Sequence, residues 1–230
     1  ETAVKKCIGM FAFALWDKEK KLLHLVRDRI GIKPLYYGWD KNHFVFASEL
    51  KPFRFYPDFE RKIDQNSLAL LLQYNFIPTP FSIYKNIYKL EPGTILTLDS
   101  QKYSKGIPSL VSYWSLDQVV EQGLLNPLKE TESKIVEDLE KLLRDSVRLR
   151  MISDVPLGAF LSGGIDSSLT VALMQDLADH PVQTFSIGFS ESEYNEANEA
   201  KKIAQHLGTS HAELYVSSKQ ALDVVPKLPY

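Results

Sequence analysis

The sequence predicts an α+β region followed by an α/β region. Three observations carry this reading. Residues 9–47 hold short apolar runs separated by polar turns, the pattern of antiparallel strands. Residues 155–225 alternate short apolar runs with amphipathic runs of about a dozen residues, the pattern of a parallel sheet with right-handed helical crossovers. Where this alternation begins, Leu161-Ser162-Gly163-Gly164-Ile165-Asp166-Ser167-Ser168 joins the apolar run 155–161 to the amphipathic run 169–177, which reads as strand, glycine turn, helix.

Bulk properties narrow the class. At 230 residues the chain suffices for one large domain or two small ones. Its 44% apolar and 24% charged content is ordinary for a soluble globular protein. A net charge of −2 argues against a basic surface for nucleic acid or for an anionic membrane. The single Cys7 rules out an internal disulfide and a cysteine-based metal site. No apolar run is long enough to span a bilayer and no signal peptide is visible, so a soluble protein of the reducing cytoplasm is expected. The chain begins at Glu1 and ends at Leu228-Pro229-Tyr230, which reads as an excerpt of a longer protein.

Taken in order, residues 9–15 are apolar throughout and predict a buried strand. Asp17-Lys18-Glu19-Lys20 is a polar turn. Residues 22–26 form a second strand, with Leu23 and Leu25 on one face and His24 on the other. Residues 35–37 begin a third, turned at 39–42 into a fourth over 43–47, completing an antiparallel meander. Asp64 caps a helix through Leu68, Leu71 and Leu72, which Pro78 and Pro80 end. Glu91-Pro92-Gly93 turns into a strand over 94–98. Residues 116–129, with Gly123 and Pro127, read as a linker. Thr131 or Ser133 then caps a helix whose apolar face is Ile135, Val136, Leu139, Leu142, Leu143 and Val147. Arg148 and Arg150 read as helix-end cations answering the macrodipole, with a phosphate or carboxylate contact as the alternative. Further strands fall at 182–189 and 211–216, and helices at 195–206, stopped by Gly208, and from 219.

The candidate site lies at residues 161–168. Bare backbone N–H groups beside a helix N-terminus make a phosphate site. A Ser/Gly-rich turn capping a helix, with Asp166 as a first-turn acid, is the alternative. The Lys-containing P-loop pattern and the dinucleotide Gly-x-Gly-x-x-Gly spacing are both absent. In a parallel sheet ligands sit at the carboxyl ends of strands, which brings in Ile187 and Gly188. The turn at 161–168 resembles a pyrophosphate loop of ATP-splitting enzymes, and the resemblance implies a pose that rests pyrophosphate on the backbone of Gly163, Gly164 and Ile165, with hydroxyls from Ser162, Ser167 and Ser168. Adenine lies on backbone groups of Leu161 and Ile187, and Gly188 permits close approach. Asp166 meets phosphate through Mg²⁺ or fixes the loop N–H groups. Glu191, Glu193 and Glu196 read first as a solvated acidic loop and second as metal ligands. Tyr194-Asn195-Glu196-Ala197 reads as a helix start. His24, His43, His180 and His206 have no metal-ligand spacing, and His211 reads as structural.

Ser-Gly-Gly-x-Asp-Ser-Ser resembles the pyrophosphate loop of enzymes that split ATP into AMP and pyrophosphate. The run Phe11-Ala12-Phe13-Ala14-Leu15-Trp16-Asp17, the loop Arg27-Asp28-Arg29-Ile30-Gly31-Ile32-Lys33-Pro34-Leu35 and Phe46-Ala47-Ser48-Glu49 together resemble the glutaminase domain of class II amidotransferases. Read from the residues alone, Arg27 and Asp28 form a structural network, with a ligand site as the lesser alternative. Ile83-Tyr84, Ile87, Lys89-Leu90 and Pro92-Gly93 resemble the end of that domain in asparagine synthetases. The resemblance implies that residues 1–115 are the C-terminal part of an Ntn-type αββα glutaminase sandwich. Residues 116–230 would be the N-terminal part of a parallel-sheet, adenine nucleotide α-hydrolase-like (PP-loop) ATP-pyrophosphatase domain. It further implies ATP and Mg²⁺ as cofactors and aspartate and glutamine as substrates, and it leaves a homodimer open. The implied chemistry adenylates the aspartate side chain and displaces AMP with ammonia from glutamine. The family's N-terminal cysteine nucleophile is not matched by the internal Cys7, which reads as a small core residue, so no glutaminase catalytic residue is assigned. Three alternatives remain: another amide ligase such as a β-lactam synthetase, a tRNA-modifying ligase, and an ATP-binding module without turnover.

Overall fold

The computed structural model describes residues 1–57, 59–99, 108–189 and 195–228. They divide into two compact units, Glu1–Pro127 and Leu128–Tyr230. Among the described residues no helix is long and apolar enough to cross a membrane.

The first unit opens with a short helix α1 (Thr2–Lys5) and continues through strands β1 (Ala12–Asp17), β2 (Leu22–Arg27), β3 (Tyr36–Asp40) and β4 (His43–Ala47). Helix α2 (Gln65–Tyr74) precedes β5 (Ile87–Lys89), β6 (Thr94–Asp99), β7 (Ser109–Ser112) and helix α3 (Leu116–Leu125). All strand pairs are antiparallel, but they form two sheets, β1-β2-β6-β7 and β4-β3-β5, rather than one meander. The loop after Arg27 carries the chain from one sheet to the other, so β2 takes β6 as its second neighbour and β3 takes β5. Leu25, Leu96 and Leu98 from the first sheet cluster with Leu35 and Leu90, and Tyr37, Trp39 and Phe44 pack against them. Each fully buried leucine there contributes about 1.5–3 kcal/mol. Val26, Ile95 and Tyr113 form a second cluster on the other face with Val4.

Several expectations are corrected here. The apolar run at 9–15 is not a buried strand: β1 lies at a sheet edge, and Leu15 is 56% exposed. The buried strands of this sheet are β2 and β6, each with a neighbour on both sides. The third turn is tighter than expected, because Trp39 and Asp40 still pair with Phe44 and His43 and Lys41 alone takes the left-handed conformation there. Asp64 does cap α2, accepting from the Ser67 N–H at 2.8 Å. The helix stops at left-handed Asn75 (φ 61°), before either proline is reached. Residues 116–125 are a helix and not a linker: Ser115 caps it, Leu116, Val119, Val120 and Leu124 recur at helical spacing, and Gly123 costs only about 1 kcal/mol relative to alanine. Cys7 is half-buried rather than a core residue, with its thiol 3.6 Å from the Ala3 carbonyl.

The second unit begins with α4 (Glu132–Arg150), whose polar face carries the ion pairs Lys134–Asp138, Lys141–Glu137 and Arg144–Glu140. Thr131 is its N-cap residue, without a side-chain capping bond. Arg148 and Arg150 stay on their own helix, bonded to Asp145 and Ser146. Then follow β8 (Gly158–Phe160), α5 (Ile165–Leu177), β9 (Gln183–Phe189), α6 (Ala197–Leu207), β10 (Ser210–Val216) and α7 (Ser218–Val224). The three strands form a parallel sheet with β9 in the centre. β8 is shorter than the apolar run at 155–161 suggested. Helix α6 ends at left-handed Gly208. Leu161, Val171, Ala200 and Ala204 form the core between the sheet and helices α5 and α6. The small alanines of α6 bring that helix close to the sheet. Along β9 the buried residues are Thr184, Ser186 and Gly188, while Phe185, Ile187 and Phe189 lie on the open face.

Candidate functional site

The chain leaves β8 at the carboxyl end of the parallel sheet and enters α5 through residues 161–164. Three hydroxyls shape this turn. Ser167 Oγ lies 2.9 Å from Ser162 Oγ, accepts from the Ser162 N–H at 3.2 Å, and sits 3.2 Å from the Gly164 carbonyl. Ser162 Oγ accepts from the Gly164 N–H at 3.2 Å, and Ser168 Oγ donates to the Gly164 carbonyl at 2.7 Å. These hydroxyls are committed within the loop. Among the described residues, nothing accepts from the N–H groups of Gly163, Ile165, Asp166 or Ser167. Four unmet donors at the N-terminus of a helix of 13 residues make a local positive potential suited to an anion. Asp166 is exposed in the first turn of α5.

Beside the loop lies a cleft of about 310 Å³, lined by Leu161, Ser162, Ser167, Phe185, Ser186 and Ile187, with Phe160, Glu196 and Ala197 completing the wall. Of the residues predicted from sequence, Leu161, Ser162, Ser167 and Ile187 line this cleft, and Gly163, Gly164, Asp166 and Ser168 adjoin it on the same turn. Gly188 does not join them. It is buried, and a Cβ there would lie 2.6 Å from the Tyr215 ring and 3.2 Å from the Ala197 Cβ; close packing inside the unit, not ligand approach, requires the glycine. Glu191, Glu193 and Tyr194 lie outside the described residues. Glu196 is exposed at the start of α6, and among the described residues no group of three potential metal ligands exists. Sequence reasoning missed Phe160, Phe185 and Ser186. Ser186 left a trace, as one of two hydroxyls, with Thr184, alternating with apolar residues along the strand.

The first unit offers contrasting chemistry. The Arg27 guanidinium is buried and donates to three carbonyls: Nε to Lys33 at 2.9 Å, Nη1 to Leu90 at 2.5 Å and Nη2 to Gly31 at 2.7 Å. The Asp28 carboxylate accepts from the N–H groups of Ile32 and Lys33, each at 2.9 Å, and of Phe11 at 3.3 Å. Burial pushes the Asp28 carboxyl up, but these N–H donors outweigh it and hold its pKa below the ordinary value. Both side chains are spent on backbone. The unit's cleft of about 420 Å³ includes Arg29, Glu91 and Trp114. The Arg29 guanidinium is likewise committed, donating to the carbonyls of Cys7 and Lys5. His24 meets Thr97 at 2.9 Å, and His211 meets Thr184 at 2.9 Å, as structural histidines do.

Comparison with known proteins agrees with this division. The family described as glutamine amidotransferase domain matches residues 1–114, and the family described as asparagine synthase matches residues 138–230. A Methanocaldococcus jannaschii protein provisionally named asparagine synthetase (glutamine-hydrolyzing) 2 is 39% identical over 97% of this chain and 42% of its own length. Asparagine synthetase (glutamine-hydrolyzing) 1 of Bacillus subtilis is 34% identical over 99% of this chain and 34% of its own length. The chain thus spans less than half the length of either relative. With an amidotransferase segment leading into an asparagine synthase segment, the chain belongs to the glutamine-hydrolysing asparagine synthetase family.

Proposed function

We propose that the protein is a cytoplasmic ATP-dependent ligase that makes asparagine from aspartate with glutamine as nitrogen donor. The observation that carries the reading is the set of four unmet N–H donors at the start of α5, beside a cleft at the carboxyl end of a parallel sheet. Residues 1–115 are assigned to the C-terminal part of an Ntn-type glutaminase sandwich. Residues 116–230 are assigned to the N-terminal part of a PP-loop domain, although α3 falls within the first compact unit, which runs to Pro127.

In this reading the N–H groups of Gly163, Ile165, Asp166 and Ser167 receive the departing pyrophosphate as preorganised dipoles. Ser162, Ser167 and Ser168 hold the loop in the conformation that aims those donors, rather than touching phosphate themselves. The adenine edge meets the Ile187 backbone; the Leu161 N–H is already given to Phe185 at 2.8 Å. An oxygen of the aspartate side chain attacks the α-phosphorus of ATP, and the bond to pyrophosphate breaks, leaving β-aspartyl-AMP. Ammonia then attacks the acyl carbon and AMP leaves. The acyl-adenylate must be kept from water, which would hydrolyse it. Asp166 suits Mg²⁺, which is commonly held by one or two carboxylates together with substrate phosphates and water. When bound, that ion neutralises phosphate charge.

Aspartate-dependent exchange between ATP and labelled pyrophosphate tests the reading. Asp166→Ala in the full-length protein is expected to abolish exchange while glutaminase activity continues. Exchange that persists in this variant would remove Asp166 from the adenylating site.

A further inference from the structure

We infer that Ser186 is a positioning residue that keeps the Ile187 N–H open to read the nucleotide base, an inference that rests on the nucleotide reading above. Parallel pairing runs Gly158↔Gln183, Ala159↔Thr184 and Phe160↔Phe185. The next pair in this register is Leu161 opposite Ser186. In a parallel ladder such a residue bonds to both neighbours of its opposite number. Leu161 should therefore donate to the Phe185 carbonyl and accept from the Ile187 N–H.

The first bond is present, at 2.8 Å. The second is missing. The Leu161 carbonyl instead takes the Ser186 hydroxyl, at 2.5 Å. Both residues are buried, Leu161 at 3% and Ser186 at 6% exposure, so water does not compete for this bond. Among the described residues no group outside the β9–β10 ladder accepts from the Ile187 N–H. Backbone groups of residues 185 and 187 point to the same edge of β9, so the released N–H faces the β8 side, where Ile187, Phe160 and Phe185 line the cleft. An apolar slot with one backbone donor and the adjoining Ile187 carbonyl suits adenine. The ring faces take the apolar contact, N1 accepts from the N–H, and the exocyclic amine donates to the carbonyl. Without the hydroxyl, the Leu161 carbonyl can reclaim the Ile187 N–H, adding a rung to the ladder and removing the donor.

The test compares the affinity of the full-length protein for ATP and for 1-deaza-ATP, in which N1 is replaced by C–H. The wild type is expected to prefer ATP by about five- to tenfold, the factor of one neutral hydrogen bond. Ser186→Ala is expected to bring the preference to about one by weakening ATP alone, and Ser186→Thr, which keeps the hydroxyl, to retain it. A purely structural role would weaken both nucleotides together and leave the preference intact, which overturns the inference. A wild-type protein that binds both nucleotides equally well also overturns it, needs no variant, and leaves the ATP reading standing. A wild type that does not bind ATP overturns the nucleotide reading and the role of Ser186 with it.

Discussion

The loop after β2 and the loop after β8 begin alike, at a strand end, with glycine and hydrogen-bonding side chains close together. They differ in what is left over. In the first, all three guanidinium nitrogens of Arg27 and both carboxylate oxygens of Asp28 are used on backbone groups of the same unit. In the second, the serine hydroxyls are used to shape the turn, and the backbone N–H groups of Gly163, Ile165, Asp166 and Ser167 remain unmet beside a cleft. Polar residues in a loop do not by themselves mark a binding site. Unused donors at a helix N-terminus beside a cleft suit an anion, because together they leave a local positive potential that a phosphate group answers.

The sharpest way to break this contrast is to disturb the first loop. Asp28→Asn turns an amide nitrogen toward backbone donors, and should destabilise the first unit by about 2–3 kcal/mol. Urea unfolding followed by tryptophan fluorescence reads this unit alone, because Trp16, Trp39 and Trp114 all lie within it. ATP affinity should not change. The effect also has a pH signature. The Asp28 pKa is lowered in the fold, so its contribution is complete above the unfolded value of about 3.9 and is lost as pH falls through the folded value. The gap between wild type and variant should therefore narrow below about pH 4. A gap of less than about 0.5 kcal/mol at neutral pH would mean that Asp28 is not a structural anchor.

The second loop answers to a smaller change in the opposite sense. Gly164 has φ −81° and ψ 155°, open to any residue, and a Cβ there meets only Ser162 Oγ, at 3.3 Å. Valine can be folded there, but its methyl groups enter the cradle. Gly164→Val should lower ATP affinity by more than about tenfold, or 1.4 kcal/mol, while shifting the melting temperature by less than about 3 °C. Gly163 is a poorer probe, since a Cβ there would lie 2.9 Å from the Glu199 Cβ and disturb the fold directly. A Gly164→Val protein that folds and binds ATP as tightly as wild type would return this loop to the class of the first.

Local features were legible in the sequence where local chemistry decides them. Asp64 announced the start of α2 and Gly208 the end of α6. Alternation placed β2, β4, β6 and β10 within a residue or so. Pairing was not legible, because it depends on distant neighbours: the run at 9–15 looks like a central strand but lies at an edge, and β2 and β3 look like adjacent strands but belong to different sheets. α3 was hidden by Gly123 and Pro127, whose local signals are those of a linker. At the site, the Ser-Gly-Gly-Ile-Asp-Ser-Ser turn was visible as an anion cradle. That its hydroxyls serve the loop, that Gly188 is needed by Tyr215, and that Ser186 replaces a rung of the sheet all depend on register, which no single stretch of sequence carries.

Hydrogen–deuterium exchange on the full-length protein, with and without ATP, addresses the unmet donors most directly. ATP is expected to slow exchange at the amides of Gly163, Ile165, Asp166 and Ser167 while leaving residues 27–34 unchanged. Bound ATP that protects amides elsewhere and leaves residues 163–167 exchanging at their free rate would contradict the assignment of this loop as the nucleotide site.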